Sequence, residues 1–342
     1  MAQKKRSASR SRKSGRKSVK MPPLNLSLVV AVALVISVYV IVTLFNGRGT
    51  DLWKESWQDL VARLTSFSVS DLPTGGSVPD GNTVPAPSGE VRVHFIDVGQ
   101  GDSILVEGNG EAFLIDAGEN NQGDTVAGYL TAAGVDELQL AIGTHPHSDH
   151  IGGLDVVIGE IPTSTLWMPD LPDSMIPTTK TYNDLLDAME ATGTEGVLAG
   201  PGDTLEICGG LLEVLGPLTD YDDLNDMSLV TRFTYGDTSF LFTGDMEQGP
   251  EGDLLEAGVD VSADLLKMGH HGSSTSSSRA FVEAVDPEVF VITVGEGNSY
   301  GHPHKETLSL LDSLDAEVWR TDLNGSIVVT TDGSEMQISS ER

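Results

Sequence analysis

The run His145-Pro146-His147-Ser148-Asp149-His150 places four metal-ligating side chains within six positions of a chain that has only eight histidines. It follows an apolar stretch, Leu138 to Gly143, that reads as a buried strand. In extended backbone, residues i and i+2 point the same way, so His145 and His147 can hold one cation together. Pro146 stiffens the segment between them. Asp149 and His150 fall just past the strand end, where the chain turns, and can face a second cation. Gly152 and Gly153 let the backbone pass close to the site before the next helix. Two more apolar strands end in ligand types. Phe240-Leu241-Phe242-Thr243-Gly244-Asp245 closes on a carboxylate suited to bridging two metals, and Leu265-Leu266-Lys267-Met268-Gly269-His270-His271-Gly272 closes on histidines. Three strands that each deliver a ligand at their end are how packed sheets line one edge with chemistry.

The elements that must position these residues interleave from Glu90 onward. Strand-like runs cover 91–97, 103–106, 112–116 and 138–143, then recur near 211–215, 228–235, 238–243, 288–294, 317–320 and 326–331. Helical patterns cover Gln122 to Ala133, with Gly134 as the stop, and then 181–192, 278–285 and 305–314. Such interleaving predicts an α/β sandwich in which helices cover packed sheets. The single cysteine, Cys208, rules out an internal disulfide and a cysteine-based zinc site, and its apolar surroundings predict a small buried side chain.

Charge is divided sharply along the chain. Residues 1–20 hold nine Lys or Arg and no acid, whereas the remainder holds all 51 acids against 11 bases. A cationic tail on an acidic body points to a membrane surface or a nucleic acid for the tail, and the body repels polyanions at long range. The apolar run Leu24 to Phe45 carries no charge. As a helix it measures roughly 33 Å, enough to cross a bilayer core. Its basic N-terminal flank predicts an uncleaved single span, with residues 1–23 as a cytoplasmic tail and everything after 46 outside. Within 46–89, residues 51–67 space Leu52, Trp53, Trp57, Leu60, Val61 and Leu64 at helical intervals, while residues 68–89 are rich in Pro, Gly and Ser and predict a disordered spacer. The catalytic domain is then expected at 90–342.

The blocks FIDVGQGD (95–102), LIDAG (114–118), THPHSDHIGG, SLV…FLFTGD and LLKMGHHGS…YGHPH, in this order, resemble the metallo-β-lactamase superfamily and, within it, the hydrolase domain of ComEC-type competence proteins. The resemblance runs from about Val91 to about Thr331 and implies an αββα four-layer sandwich. It implies His145 and His147 on one metal, Asp149, His150 and His270 on a second, Asp245 between them, and a metal-held hydroxide as nucleophile. Asp149 and His302 are then the catalytic side chains, His302 as a proton donor to the leaving group. Asp116 is expected to orient a ligand. Asp102, in the turn Gly99-Gln100-Gly101-Asp102, either supports the ligands or simply belongs to a tight turn, and His304 either meets substrate or caps the helix that follows. His271, adjacent to a ligand in extended backbone, is expected to point away from the metals. Ser273–Ser278 (SSTSSS) is expected to be a flexible surface loop.

Many members of the superfamily supply another histidine between the first block and GD, but none lies between His150 and His270 here. The corresponding region carries Asn225 and Ser228 instead, as in the ComEC-type subgroup. With fewer nitrogen ligands, two divalent ions of Zn²⁺ or Mn²⁺ fit the set. The resulting expectation is an extracytoplasmic phosphodiesterase or nuclease. Its partners would be membrane lipid at the N-terminal helix and nucleic acid or another phosphodiester at the site, and no protein partner is legible. The same site also suits a carbon-centred ester such as a lactone, thioester or lactam. A non-catalytic accessory role in DNA uptake is the remaining reading.

Overall fold

The computed structural model describes residues 84, 85 and 87–342, all within the second of the chain's two units, Gly81–Arg342. The apolar segment 24–45 and the stretch 51–67 lie outside the described residues, as does most of the spacer 68–89. Among the described residues no helix is long and apolar enough to cross a membrane. The last spacer residues are tied to the domain. The Ser88 N–H donates to the Tyr235 hydroxyl at 2.9 Å, and that hydroxyl donates to the Gly89 carbonyl at 3.0 Å.

Two mixed sheets face each other. The first has a parallel half of β3 (Glu111–Ile115), β4 (Leu138–Ile142), β5 (Thr163–Pro169) and β6 (Glu195–Ala199). Its antiparallel half continues from β3 through β2 (Ile104–Gly108), β1 (Val91–Phe95), β14 (Ile327–Thr331) and β15 (Met336–Ser340). The second sheet runs parallel through β10 (Thr238–Phe242), β11 (Leu265–Lys267), β12 (Val289–Ile292) and β13 (Glu317–Arg320). It continues antiparallel through β9 (Val230–Tyr235), β8 (Gly210–Gly216) and β7 (Thr204–Ile207).

Strands buried on both faces read as unbroken apolar runs, which is why β3 and β10 show no polar alternation. Phe113 and Ile115 of β3, with Phe240 and Phe242 of β10, fill the space between the sheets, together with Phe95 and Phe233. Cys208 is buried in the same core, as its apolar setting predicted. Leu114 faces the other way, onto α1 (Gly123–Ala133), α3 (Leu154–Glu160) and α4 (Lys180–Thr192) through Val126, Leu154 and Leu185. Leu241 likewise faces α5 (Gln248–Glu256), α6 (Arg279–Val285) and α7 (Lys305–Ser313) through Leu254, Phe281 and Leu311. Helices therefore cover both outer faces, giving four layers. Gly134 ends α1 in left-handed backbone at φ 86°, a conformation a glycine enters without strain.

The parallel strands β3 and β4 of one sheet and β10, β11 and β12 of the other all end along one edge of the sandwich. Ligand sites in α/β sheets form at such carboxyl ends, because the loops leaving them converge there.

Candidate metal centre

β4 delivers His145 and His147, and the one-turn helix α2 (Ser148–Ile151) that follows carries Asp149 and His150. The turn is held by close backbone contact. A Cβ on Gly153 would collide with the Ala117 carbonyl oxygen, and one on Gly101 with the Asp149 carbonyl oxygen. No other residue type fits either position without moving the loop. The Gly99-Gln100-Gly101-Asp102 turn is thereby locked against the histidine run, and the Asp102 N–H donates to the Asp149 carbonyl at 3.1 Å.

His150 is fully buried. Its Nδ1–H donates to Asp116 Oδ2 at 2.7 Å, which leaves Nε2 facing Asp245 Oδ1 at 3.2 Å. Asp116 also accepts from the Thr144 N–H at 2.9 Å and from the Thr144 hydroxyl at 2.7 Å. A carboxylate that holds one ring nitrogen fixes which nitrogen the ring presents on its other side, and Asp116 is so placed on His150.

The histidine pair after β11 departs from the sequence reading. His270 (φ 48°, ψ 48°) and His271 (φ 53°, ψ 28°) both adopt left-handed backbone, so neighbouring side chains do not alternate as in a strand. His271 turns inward: Nδ1–H donates to the Thr293 carbonyl at 3.0 Å, while Nε2 stands 3.4 Å from Asp149 Oδ2 and 3.5 Å from Asp245 Oδ1. The expectation that His271 points away from the site is therefore corrected. His270 sits farther out, its Nε2 3.6 Å from Asp245 Oδ2 and its Nδ1 3.2 Å from Glu247 Oε1. The loop Ser273–Ser278 is likewise built into the fold rather than free at the surface. Ser273, Ser276 and Ser277 are buried, and the Ser277 hydroxyl accepts from the Gly269 N–H at 3.0 Å, pinning the left-handed bend.

Ligand atoms of Asp149, His150, Asp245 and His271 all lie within 4.8 Å of one another. His150 Nε2, His271 Nε2 and Asp245 Oδ1 are buried, adjacent, and without a hydrogen-bond partner of good geometry. Buried polar atoms left unmatched are costly, and three of them aimed at one point fit a divalent cation. A second group, Asp102, Asp116 and His150, is also compact. There Lys267 and Thr144 already satisfy the carboxylates, so it supports the first group rather than duplicating it.

His145 is buried and His147 half-buried, with His145 Nε2 and His147 Nδ1 3.0 Å apart as the extended spacing predicted. Ser228 ties this pair to the carboxylate, its hydroxyl 3.3 Å from His145 Nδ1 and accepting from the Asp245 N–H at 3.0 Å. An open cleft of about 300 Å³ borders the centre, lined by Gln100, His147, Ser148, Asp149, Asn225, Tyr300 and His302. Asn225 Oδ1 and His302 Nδ1 are buried without partners. His304 is at the N-cap of α7 but makes no side-chain cap; its Nδ1 instead accepts from the Ser274 N–H at 2.9 Å.

Comparison with known proteins settles the family. The model described as "Metallo-beta-lactamase superfamily" matches residues 96–295. The chain belongs to that superfamily. ComE operon protein 3 of Bacillus subtilis (strain 168) is 33% identical over 265 residues, covering 71% of this chain and 33% of that protein. Competence protein ComA of Neisseria gonorrhoeae is 31% identical over 245 residues, covering 70% and 32%. The chain thus spans about a third of the length of the curated relatives it matches. Among solved structures, the metallo-beta-lactamase fold protein YhfI from Bacillus subtilis is 17% identical with a TM-score of 0.46, covering 73% of this chain and 100% of that one. With its compact cluster of candidate metal-ligating side chains, this metallo-β-lactamase domain is a metal-dependent hydrolase.

Electrostatics within the metallo-β-lactamase centre follow from four carboxylates around a few cations. Burial opposes charging His150, but Asp245 and Asp116 outweigh it and hold the imidazolium well above its ordinary range. Burial opposes charging His271 as well, and Asp245, Asp102 and Asp149 raise it in the same way. Against its own burial, Asp245 is held well below the usual carboxylate range by His271 and His150. His145 goes the other way: burial, then the charge on His150, keeps it neutral. The surrounding carboxylates therefore favour the protonated form of both His150 and His271.

A raised folded-state pKa gives stability that is complete below about 6.5, the unfolded value, and is lost as pH climbs through the folded values. Metal binding must displace those protons. At pH 7, calorimetric titration with Zn²⁺ in two buffers of different ionisation enthalpy is expected to give different heats, reporting net proton release. Equal heats would contradict the assignment.

Proposed function

We propose that the protein is a two-metal phosphodiesterase or nuclease of the ComEC type, anchored by residues 24–45 with its catalytic domain at 90–342 outside the cytoplasm. The observation carrying this reading is the convergence of Asp149, His150, Asp245 and His271 on one point beside an open cleft, with His145 and His147 adjacent. Asp149, His150, His271 and one oxygen of Asp245 would hold one ion, with His271 taking the role first given to His270. His145 and His147 would hold the other, with Asp245 shared. The few nitrogens on that second ion leave Mn²⁺ as suitable as Zn²⁺. When bound, two such ions supply Lewis acidity, charge neutralisation on a phosphoryl group and water of lowered pKa.

The chain's own residues supply orientation and proton handling. Asp116 and the Thr293 carbonyl aim His150 and His271, and Asn225 offers an unmatched Oδ1 beside the cleft. His302, half-buried, is pushed down to about 4 by burial and by His270, His271 and His304, so it is neutral at pH 7. A phosphodiester's negative charge in the cleft raises that value toward the working range of a general acid. His302→Ala is expected to lower kcat roughly 100-fold for an alkyl diester and only slightly for a p-nitrophenyl one, whose leaving group needs no proton. Equal losses on both substrates would remove the acid role.

The function is tested by assaying the Zn²⁺- and Mn²⁺-loaded full chain in parallel on a diester reporter, single-stranded DNA, a lactone and a thioester. Cleavage confined to the last two would overturn the phosphodiesterase assignment. Digestion of the domain by protease added outside intact cells tests the anchored topology, and protection would overturn it.

A further inference from the structure

Among residues 84–342, eight Lys or Arg stand against 46 Asp or Glu. Each of those eight is in an ion pair with a carboxylate. None of them lines the cleft beside the metal centre. The loops that flank the cleft are acidic. Asp220, Asp222 and Asp223, all exposed, lead into Asn225, and Glu296, also exposed, precedes Tyr300 in the loop that carries His302. Affinity for nucleic-acid polymers comes largely from Lys and Arg neutralising successive phosphates. Nothing on the described surface beside this cleft supplies that, so every phosphate beyond the one at the metals meets like charge.

The attractive features of the cleft suit a small ligand. Its lining side chains other than Asp149 are uncharged amides, a serine, histidines and one phenol. Tyr300 is 63% exposed, and its ring stacks on His302 with centroids 5.7 Å apart and planes at 25°. An exposed aromatic face beside a single phosphate site is a platform for one planar group.

We propose that this cleft selects short phosphodiesters carrying a single negative charge, with a planar group on Tyr300, and rejects long polyanions by charge. The proposal rests on the phosphodiesterase reading above. Its signature is the sign of the salt dependence. Polymer-binding proteins lose affinity as salt rises, because counterions compete for the phosphates. Here salt screens the acidic rim from the polymer, so cleavage of a polymer rises with salt while cleavage of a dinucleotide stays nearly flat.

The test uses the full chain loaded with Mn²⁺, with dithymidine monophosphate and a thymidine 20-mer as substrates, from about 20 mM to about 500 mM NaCl. At the lowest salt, kcat/KM for the dinucleotide is expected to exceed the per-linkage value for the 20-mer by at least about tenfold. The 20-mer rate is expected to climb with salt. In an Asp220→Lys, Asp222→Lys variant the ratio of 20-mer to dinucleotide cleavage is expected to rise, and Tyr300→Ala is expected to raise KM for the dinucleotide. Fluorescence anisotropy of a labelled 20-mer reads the same selection without turnover. The basic residues 1–20 are common to both proteins, so the lysine variant is expected to bind more tightly than the parent chain, and equal affinities would overturn the charge selection. Efficient low-salt cleavage of the 20-mer, slowing as salt is added, would overturn the length selection and leave the phosphodiesterase reading standing. Hydrolysis of a lactone or thioester with neither diester cleaved would overturn both.

Discussion

Asp245→Ala is expected to strip the protein of tightly bound metal and to lower kcat/KM on the order of 1,000-fold, from loss of several kcal/mol of charge stabilisation. Asp245 is the residue through which the centre is knit together. One of its oxygens lies 3.2 Å from His150 Nε2 and 3.5 Å from His271 Nε2, and the other 3.6 Å from His270 Nε2. Its backbone N–H is held by Ser228, which in turn reaches His145. Among the described residues, Asp245 thus meets three histidines through its carboxylate and a fourth through Ser228. Elemental analysis of the purified variant together with steady-state rates checks the prediction, and full metal stoichiometry with near-normal kcat/KM would refute the role. The same substitution removes the carboxylate that most raises His271 and His150, so the metal-free variant is expected to show both imidazoles titrating at lower pH by NMR.

Lys267→Met is expected to destabilise the fold by about 3–5 kcal/mol, the usual penalty for removing one partner of a buried ion pair. Lys267 is fully buried at the end of β11, where Nζ pairs with Asp102 Oδ2 and donates to the Gly244 carbonyl at 3.0 Å. This pair joins the first turn of one sheet to a central strand of the other, directly behind the metal ligands. Asp102 also accepts from the Thr293 hydroxyl and lies 3.3 Å from His271 Nδ1. Burial works to raise its pKa, but Lys267 and then His271 hold the carboxyl below its ordinary range. A depressed carboxyl contributes stability present above its unfolded value, about 3.9, and lost as pH falls through the folded one. In the Met variant the orphaned Asp102 can protonate, so the deficit is expected to shrink as pH falls. Urea denaturation of Lys267→Met, Asp102→Asn and the double variant, as a cycle, isolates the pair. Full stability of the single Met variant at pH 7 would show that the ion pair is dispensable.

The role of Lys267 illustrates what local sequence conceals. Lys267 stands in an apolar strand, but its counter-ion lies in a turn more than 160 residues away, and only the packing of two sheets brings them together. Asp102 looked equally like a turn residue or a ligand support; its backbone sits in the turn, and its carboxylate faces Lys267 and His271. Glu247 and Thr293 likewise carried no local signal. Among the elements, β3, β4 and β10 were legible because strands buried on both faces must be apolar throughout. The edge strands β6 and β15 were not, since half-exposed residues there leave no apolar run. Helix α5, which contains Gly249, Pro250 and Gly252, also gave no helical signal.

By itself, the sequence determined the ordered motif blocks that resemble the family, the interleaving of strands and helices, and the ligand types at three strand ends. Each of these follows from local composition and short spacings, the level at which backbone period and residue chemistry act. Tertiary structure alone decided which histidine of the 270–271 pair enters the centre. It did so because two consecutive left-handed residues rotate the side chains off strand alternation, and the contacts that hold that bend come from the serine loop and from β12.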